Sequence, residues 1–222
     1  MLNCNFDLKT NDDSYYHSKS HSENNIETLS FTNDGSQYRA YPLGIESPNH
    51  GNRILLSQPA DPAASPFGWH DTDGIAGAEY TITRGNNVLA SEDRNANNIP
   101  GYSPDGGMNL NFDFPIDDNQ TPEFNQDAAI TNWNNYTHVV WFSKGFDEAS
   151  GNFQETNYSD QGFGNDFVVA DAQDGGGLNN ANFGTPPEGS NPRMQMFLWS
   201  PSELPDDLLT LNTPADIAGI YF

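Results

Sequence analysis

Residues 171–199 read Asp-Ala-Gln-Asp-Gly-Gly-Gly-Leu-Asn-Asn-Ala-Asn-Phe-Gly-Thr-Pro-Pro-Glu-Gly-Ser-Asn-Pro-Arg-Met-Gln-Met-Phe-Leu-Trp. Three parts are distinct. Gly175, Gly176 and Gly177 form a run without side chains, where backbone can approach a neighbour closely. Residues 178–183 form a short extended segment that carries Asn179, Asn180 and Asn182. Pro186, Pro187 and Gly189 then turn the chain into residues 193–199. There Met194, Met196 and Leu198 alternate with Gln195, Phe197 and Trp199, which is strand periodicity. Both faces of that strand are largely apolar, so it is expected to be buried on two sides. From spacing alone the Asn-rich segment is first an ordinary Asn/Gly loop. The second reading is an exposed sheet edge, whose free backbone groups and amides can take an extended peptide by strand addition.

Outward from this stretch, the chain reads as short strands joined by turns. Its 222 residues suffice for one domain with a core. Twenty Gly and fifteen Pro favour turns and long ordered loops over helix bundles. Strands are expected at residues 37–43, 53–56, 77–83, 88–90, 109–114 and 166–170, with the alternation cleanest in Asn109-Leu-Asn-Phe-Asp-Phe114. One helix is expected over residues 127–142. Asn125 is its candidate cap and Gly145 its terminator, and Ala129, Trp133, Tyr136 and Val140 form an apolar stripe. The expected fold is α+β, a mainly antiparallel β lobe around this central helix. Residues 1–32 are polar and biased, and read as a disordered linker. Residues 33–200 read as the β-rich lobe, and residues 201–222 as the start of a further element.

The charge excludes several roles. Thirty-one acidic residues against eight basic ones give a net charge of −23. Nucleic-acid binding needs clustered Lys and Arg, so it is not expected, and neither is binding to an anionic membrane surface. No apolar run approaches the length of a bilayer span. The N-terminal residues Met1-Leu-Asn-Cys4 carry no signal core. Cys4 is the single cysteine, so an internal disulfide and a cysteine zinc cluster are excluded.

Chemistry-bearing motifs are sparse. The five His (17, 21, 50, 70 and 138) form no His-Glu-x-x-His, and no Gly-x-Ser-x-Gly or phosphate-binding loop occurs. His138 reads as a structural or surface side chain on the helix. Asp93-Arg-Asn-Ala-Asn97 matches the opening of a calcium loop through Asp93, Asn95 and Asn97. The EF-hand Gly and bidentate Glu are missing, since Asn98 and Pro104 stand in their places. A looser calcium loop and an ordinary polar turn both remain readings of it.

Several blocks, in order, resemble the fungalysin-type zinc metallopeptidases, especially their bacterial members. They are Tyr38-Arg39-x-Tyr41-Pro42-Leu43, Glu46-Ser47-Pro48-Asn49-His50-Gly51, Ala64-Ser65-Pro66-Phe67-Gly68-Trp69-His70 and Thr83-Arg84-Gly85-Asn86-Asn87. Gly101-Tyr102-Ser103-Pro104-Asp105-Gly106-Gly107 and Gly145-Phe146-Asp147-Glu148-Ala149-Ser150-Gly151 follow. Asn179-Asn180-Ala181-Asn182-Phe183 and Met194-Gln195-Met196-Phe197-Leu198-Trp199 close the series. The resemblance implies a thermolysin-like architecture and a secreted zinc endopeptidase acting on peptide or protein substrates. In such enzymes a His-Glu-x-x-His helix and a later Glu hold zinc, and the motif Glu is the base for the zinc-bound water. Those elements lie downstream of the matched part. The chain is therefore expected to be the N-terminal, substrate-binding lobe, inactive alone, with the zinc lobe of the same precursor as its partner. By the same resemblance Asn180, Ala181 and Asn182 stand at the substrate edge strand. Two departures fall in the central helix. Family members carry three more residues between Asn132 and Trp133, a loss that turns the following face by about 60°. Val139 also stands where Asp is usual after His138. Two other readings compete: a non-catalytic acidic extracellular β-module that binds calcium or an extracellular polymer, and a decayed, truncated fragment.

Overall fold

The computed structural model describes residues 34–45, 50–115 and 123–198, with side chains of the helix described from residue 131 onward. The readings for residues 1–32, 46–49 and 199–222 lie outside the described residues. Strands β1 (Gln37–Ala40), β2 (Ile54–Ser57), β3 (Val88–Glu92) and β4 (Asn111–Phe112) precede helix α1 (Glu123–Phe142). Strands β5 (Val168–Leu178), β6 (Ala181–Gly184) and β7 (Arg193–Leu198) follow it.

Among the described residues two sheets form, in the orders β2-β1-β4 and β3-β5-β7-β6. The expectation of a mainly antiparallel lobe needs correction. The β1–β2 and β6–β7 pairs are antiparallel, while β1–β4, β3–β5 and β5–β7 are parallel. The physical reason lies in the connections. A long excursion that contains α1 separates β3 from β5, and such a crossover can return the chain parallel, which a hairpin cannot. Among the described residues the fold is a mixed α and β arrangement with one α-helix.

The four-stranded sheet has one apolar face. Val88, Ala90, Val168, Ala170, Ala172 and Met196 are buried there, with Phe153 and Met194 packed against them. Under the other sheet Tyr38, Trp69, Leu110 and Phe112 make a second cluster. Tyr38 stacks on Phe112 at 4.8 Å between ring centroids. His70 stacks on the same ring at 5.2 Å.

Several local expectations change. Strand periodicity over residues 109–114 survives only at Asn111–Phe112. Residues Gly107–Asn109 wind into a 3₁₀ turn, and Leu110 closes it in the left-handed region at φ 49°. Residues 77–83 are not a strand. Their backbone bonds go elsewhere, Glu79 N–H to His70 O and Thr83 N–H to Pro104 O, leaving one bridge between Ile82 and Asp105. The Gly175–Gly177 run is not a free loop, because β5 continues through it with register shifts against β7. A Cβ on Gly175 would lie 2.1 Å from the Arg94 carbonyl, so the absent side chain is what permits that approach.

Helix α1 already includes Asn125, so that residue is not its cap, whereas Gly145 does terminate it at φ 92°. The apolar stripe is not the buried face. Val140 is 49% exposed, and Trp133 and Tyr136 are half-buried, while Thr131, Asn132 and Asn135 are buried. Asn135 holds that polar face in place by accepting from Asn87 Nδ2 at 2.7 Å and donating to the Thr131 carbonyl at 2.9 Å. Strand β7 also departs from the two-sided apolar reading. Met194 and Met196 face the core, while Arg193 and Gln195 turn to carboxylates on the other side.

Candidate functional site: an edge strand beside an apolar cleft

Strand β6 ends the four-stranded sheet and is exposed along its whole length. Its register against β7 pairs Ala181 with Met196, Asn182 with Gln195 and Phe183 with Met194. The Phe197 N–H donates to the Asn180 carbonyl at 3.3 Å. Antiparallel ladders alternate, so Asn180 turns its backbone toward β7 and Ala181 turns its N–H and C=O away from the sheet. The Ala181 N–H is instead met by Asn180 Oδ1 at 2.9 Å. The edge therefore carries its own cap: one amide side chain covers the outward donor and discourages unspecific pairing.

Phe183 leads from this edge into a cleft of about 670 Å³. Trp141, Phe146, Phe153 and Met194 line it with Phe183, and His138 stands at its wall. Phe153 and Phe183 are 6.0 Å apart between ring centroids. Helix α1 supplies His138 and Trp141, and the turn at Gly145 supplies Phe146. Burial lowers the His138 pKa to about 4, while the Ala64 carbonyl, 3.3 Å from Nε2, pulls the other way. The imidazole is thus neutral near pH 7, as a structural histidine would be. Cleft and edge share Phe183, so an extended chain along β6 could place alternate side chains over an apolar surface.

The opposite face of the sheet is polar. Asp93, Asp171 and Asp174 are each buried, and their carboxylates lie within 4.8 Å of one another. Arg193 reaches all three, at 3.1 Å from Asp93 and 3.2 Å from Asp174, and its Nε donates to Asp171. Burial raises the Asp171 pKa, and the Arg193 bond works against it. Of the three calcium-loop residues, only Asp93 joins this group. It also accepts the Asn97 and Asn98 N–H groups at 3.0 Å each, while Asn95 and Asn97 are exposed. Sequence spacing missed Asp171 and Asp174 because they arrive from β5, about eighty positions downstream of Asp93.

Zinc takes nitrogen or sulfur ligands beside carboxylates. Among the described residues, the two acidic groups that could hold a metal contain no His. His70 sits in the second core, with Nε2 2.5 Å from the Tyr38 hydroxyl, and His138 lies against Ala64. These described donors do not fit a zinc site.

A model of the fungalysin metallopeptidase (M36) family matches residues 37–212. The extracellular metalloproteinase mep of Aspergillus flavus is 42% identical over 175 residues, covering 76% of this chain and 27% of that protein. Extracellular metalloproteinase 2 of Arthroderma otae is 39% identical over 175 residues, covering 76% of this chain and 27% of that protein. The mep protein of Aspergillus terreus is 40% identical over 177 residues, with 77% and 27% covered. These three relatives are fungal. The chain spans about a quarter of the length of the curated relatives it matches. By the extent of both matches, the chain belongs to the fungalysin metallopeptidase family.

Proposed function

We propose that this chain forms the N-terminal, substrate-binding lobe of a secreted zinc metalloendopeptidase, and that β6 is the strand to which an extended peptide adds. The single observation that carries the reading is the exposed edge β6 lying beside the apolar cleft through Phe183. The relatives are extracellular metalloproteinases by name, which supports secretion and peptide or protein substrates. No described helix is long and apolar enough to cross a membrane. Asn180, Ala181 and Asn182 are assigned to substrate. The peptide displaces the Asn180 amide from the Ala181 N–H and bonds the backbone there, and the freed amide bonds the peptide in turn. Family membership implies zinc, which would supply the activated water. Its ligands belong to the zinc lobe of the same precursor, and this chain binds and orients the peptide.

Ala181→Pro removes one of the outward N–H groups of the edge, Phe183 carrying the next, and leaves the bonds to β7 in place, a substitution that edge strands tolerate. A fluorescein-labelled extended decapeptide with Phe and Leu side chains, followed by anisotropy, reads the effect on the purified chain. The expected result is at least tenfold weaker binding with a melting temperature within a few degrees. Equal binding by the wild type and Ala181→Pro would reject the assignment.

A further inference from the structure

A second acidic group lies far in sequence from β6, in the loop Asp71-Thr-Asp-Gly-Ile-Ala-Gly-Ala-Glu79. Asp71, Asp73 and Glu79 each present a carboxylate oxygen, and these oxygens lie within 4.8 Å of one another. The loop closes because the Glu79 N–H returns to the His70 carbonyl at 3.3 Å, and Glu79 Oε2 takes the Thr72 N–H at 2.6 Å. Gly74, at φ 77°, makes the turn between them.

Two observations separate this group from an ordinary acidic surface. The first is charge. Among the described residues no Lys, Arg or His forms an ion pair with any of the three, whereas Arg193 sits inside the Asp93–Asp171–Asp174 group. The second is an orphaned oxygen. Asp71 is fully buried. Its Oδ1 accepts the Gly74 N–H at 2.9 Å and the Tyr158 hydroxyl at 2.8 Å. Its Oδ2 is buried and has no partner. A buried charged oxygen left unpaired is costly, so a ligand that supplies a positive partner is favoured there.

The geometry points to a calcium site formed by Asp71, Asp73 and Glu79. The donors are all oxygen, which selects a hard cation and disfavours zinc. Calcium bonds oxygen at about 2.3–2.6 Å, so ligands on opposite sides of the ion stand about 4.6–5.2 Å apart, matching the spread of these oxygens. Asp73 and Glu79 are exposed, which leaves one side open for the water ligands that calcium carries. An ion there cross-links the loop to the segment behind it. Tyr158 already bonds Asp71, and Thr156 Oγ1 bonds the Thr72 carbonyl at 2.6 Å. Three carboxylates on a half-exposed loop place the dissociation constant at about 10⁻⁴–10⁻³ M, the range of extracellular modules.

The test uses the purified 222-residue chain, freed of divalent ions with a chelator, and titration with calcium chloride in a calorimeter. One site is expected, with the melting temperature rising by about 3–6 °C in 10 mM calcium. Asp73→Asn and Glu79→Gln should each weaken binding at least tenfold and shrink the thermal shift in 10 mM calcium to about half or less. Both side chains are exposed, so folding is spared. No binding heat and no thermal shift for the wild type at 20 mM calcium would overturn the proposal. Unchanged binding by the double variant would also overturn it and place the ion elsewhere, with the Asp93 group the first alternative.

Discussion

Removing Arg193 is the sharpest perturbation of this fold. Its guanidinium is the one cation in contact with Asp93, Asp171 and Asp174 among the described residues, and those three are 2%, 0% and 1% exposed. With all groups ionised the cluster carries a net charge of about −2, and Arg193→Met takes it to about −3. Breaking one side of a buried ion pair costs about 3–5 kcal/mol. The Arg193 side chain is 28% exposed, so water can replace part of it. The lower end, about 3 kcal/mol, is therefore expected, or a melting temperature lower by about 6–12 °C. The pH dependence has a definite sign. A carboxyl with a raised folded pKa, as burial gives Asp171, opposes folding when ionised, and the opposition fades as pH falls through that pKa. The gap between wild type and Arg193→Met should thus narrow from pH 7 toward pH 4. Urea denaturation of both proteins across that range is the assay. A difference below about 1 kcal/mol at pH 7, or one that does not change with pH, would refute the reasoning.

Other substitutions probe the remaining features. Asn132 is fully buried with both amide atoms unpartnered, so Asn132→Leu should stabilise the chain by about 1–3 kcal/mol in urea denaturation. His138 is neutral in the fold with its pKa lowered to about 4, and the unfolded chain protonates near pH 6.5. Its contribution is present above about pH 6.5 and lost as pH falls toward 4, so His138→Gln should flatten that part of the stability profile by roughly 1–3 kcal/mol. Gly175→Ala drives a Cβ into the Arg94 carbonyl and should cost about 1–3 kcal/mol, read as a lower urea midpoint.

The sequence carried some of this and not the rest, for physical reasons. Periodicity of two located β3 and β7, since Val88 to Ala90 and Met194 to Met196 commit side chains to one apolar face. The edge at Asn180–Asn182 was legible only as the second reading, because Asn and Gly cluster in ordinary exposed loops as much as on exposed strand edges. Strand direction was not legible: hydrophobic alternation is the same in parallel and antiparallel ladders, and the connections between strands decide it. The buried face of α1 was missed because apolar spacing cannot foresee Asn87 bonding Asn135 across 48 positions. Both acidic groups escaped for related reasons. One is assembled from β5 and the loop after β3. The other lies within nine residues, but Asp and Glu are so abundant here that its spacing stood out only once Asp71 proved buried.

Peptide addition at β6 is the claim on which the functional account rests. Backbone amide spectra of the ¹⁵N-labelled chain, titrated with the extended decapeptide to millimolar concentration, test it most directly. The account predicts the largest shift at the Ala181 amide, which leaves Asn180 Oδ1 for the peptide, together with slowed hydrogen exchange at Ala181 and Phe183. Peptide-induced shifts confined to other strands, with Ala181 and Phe183 unmoved, would contradict it.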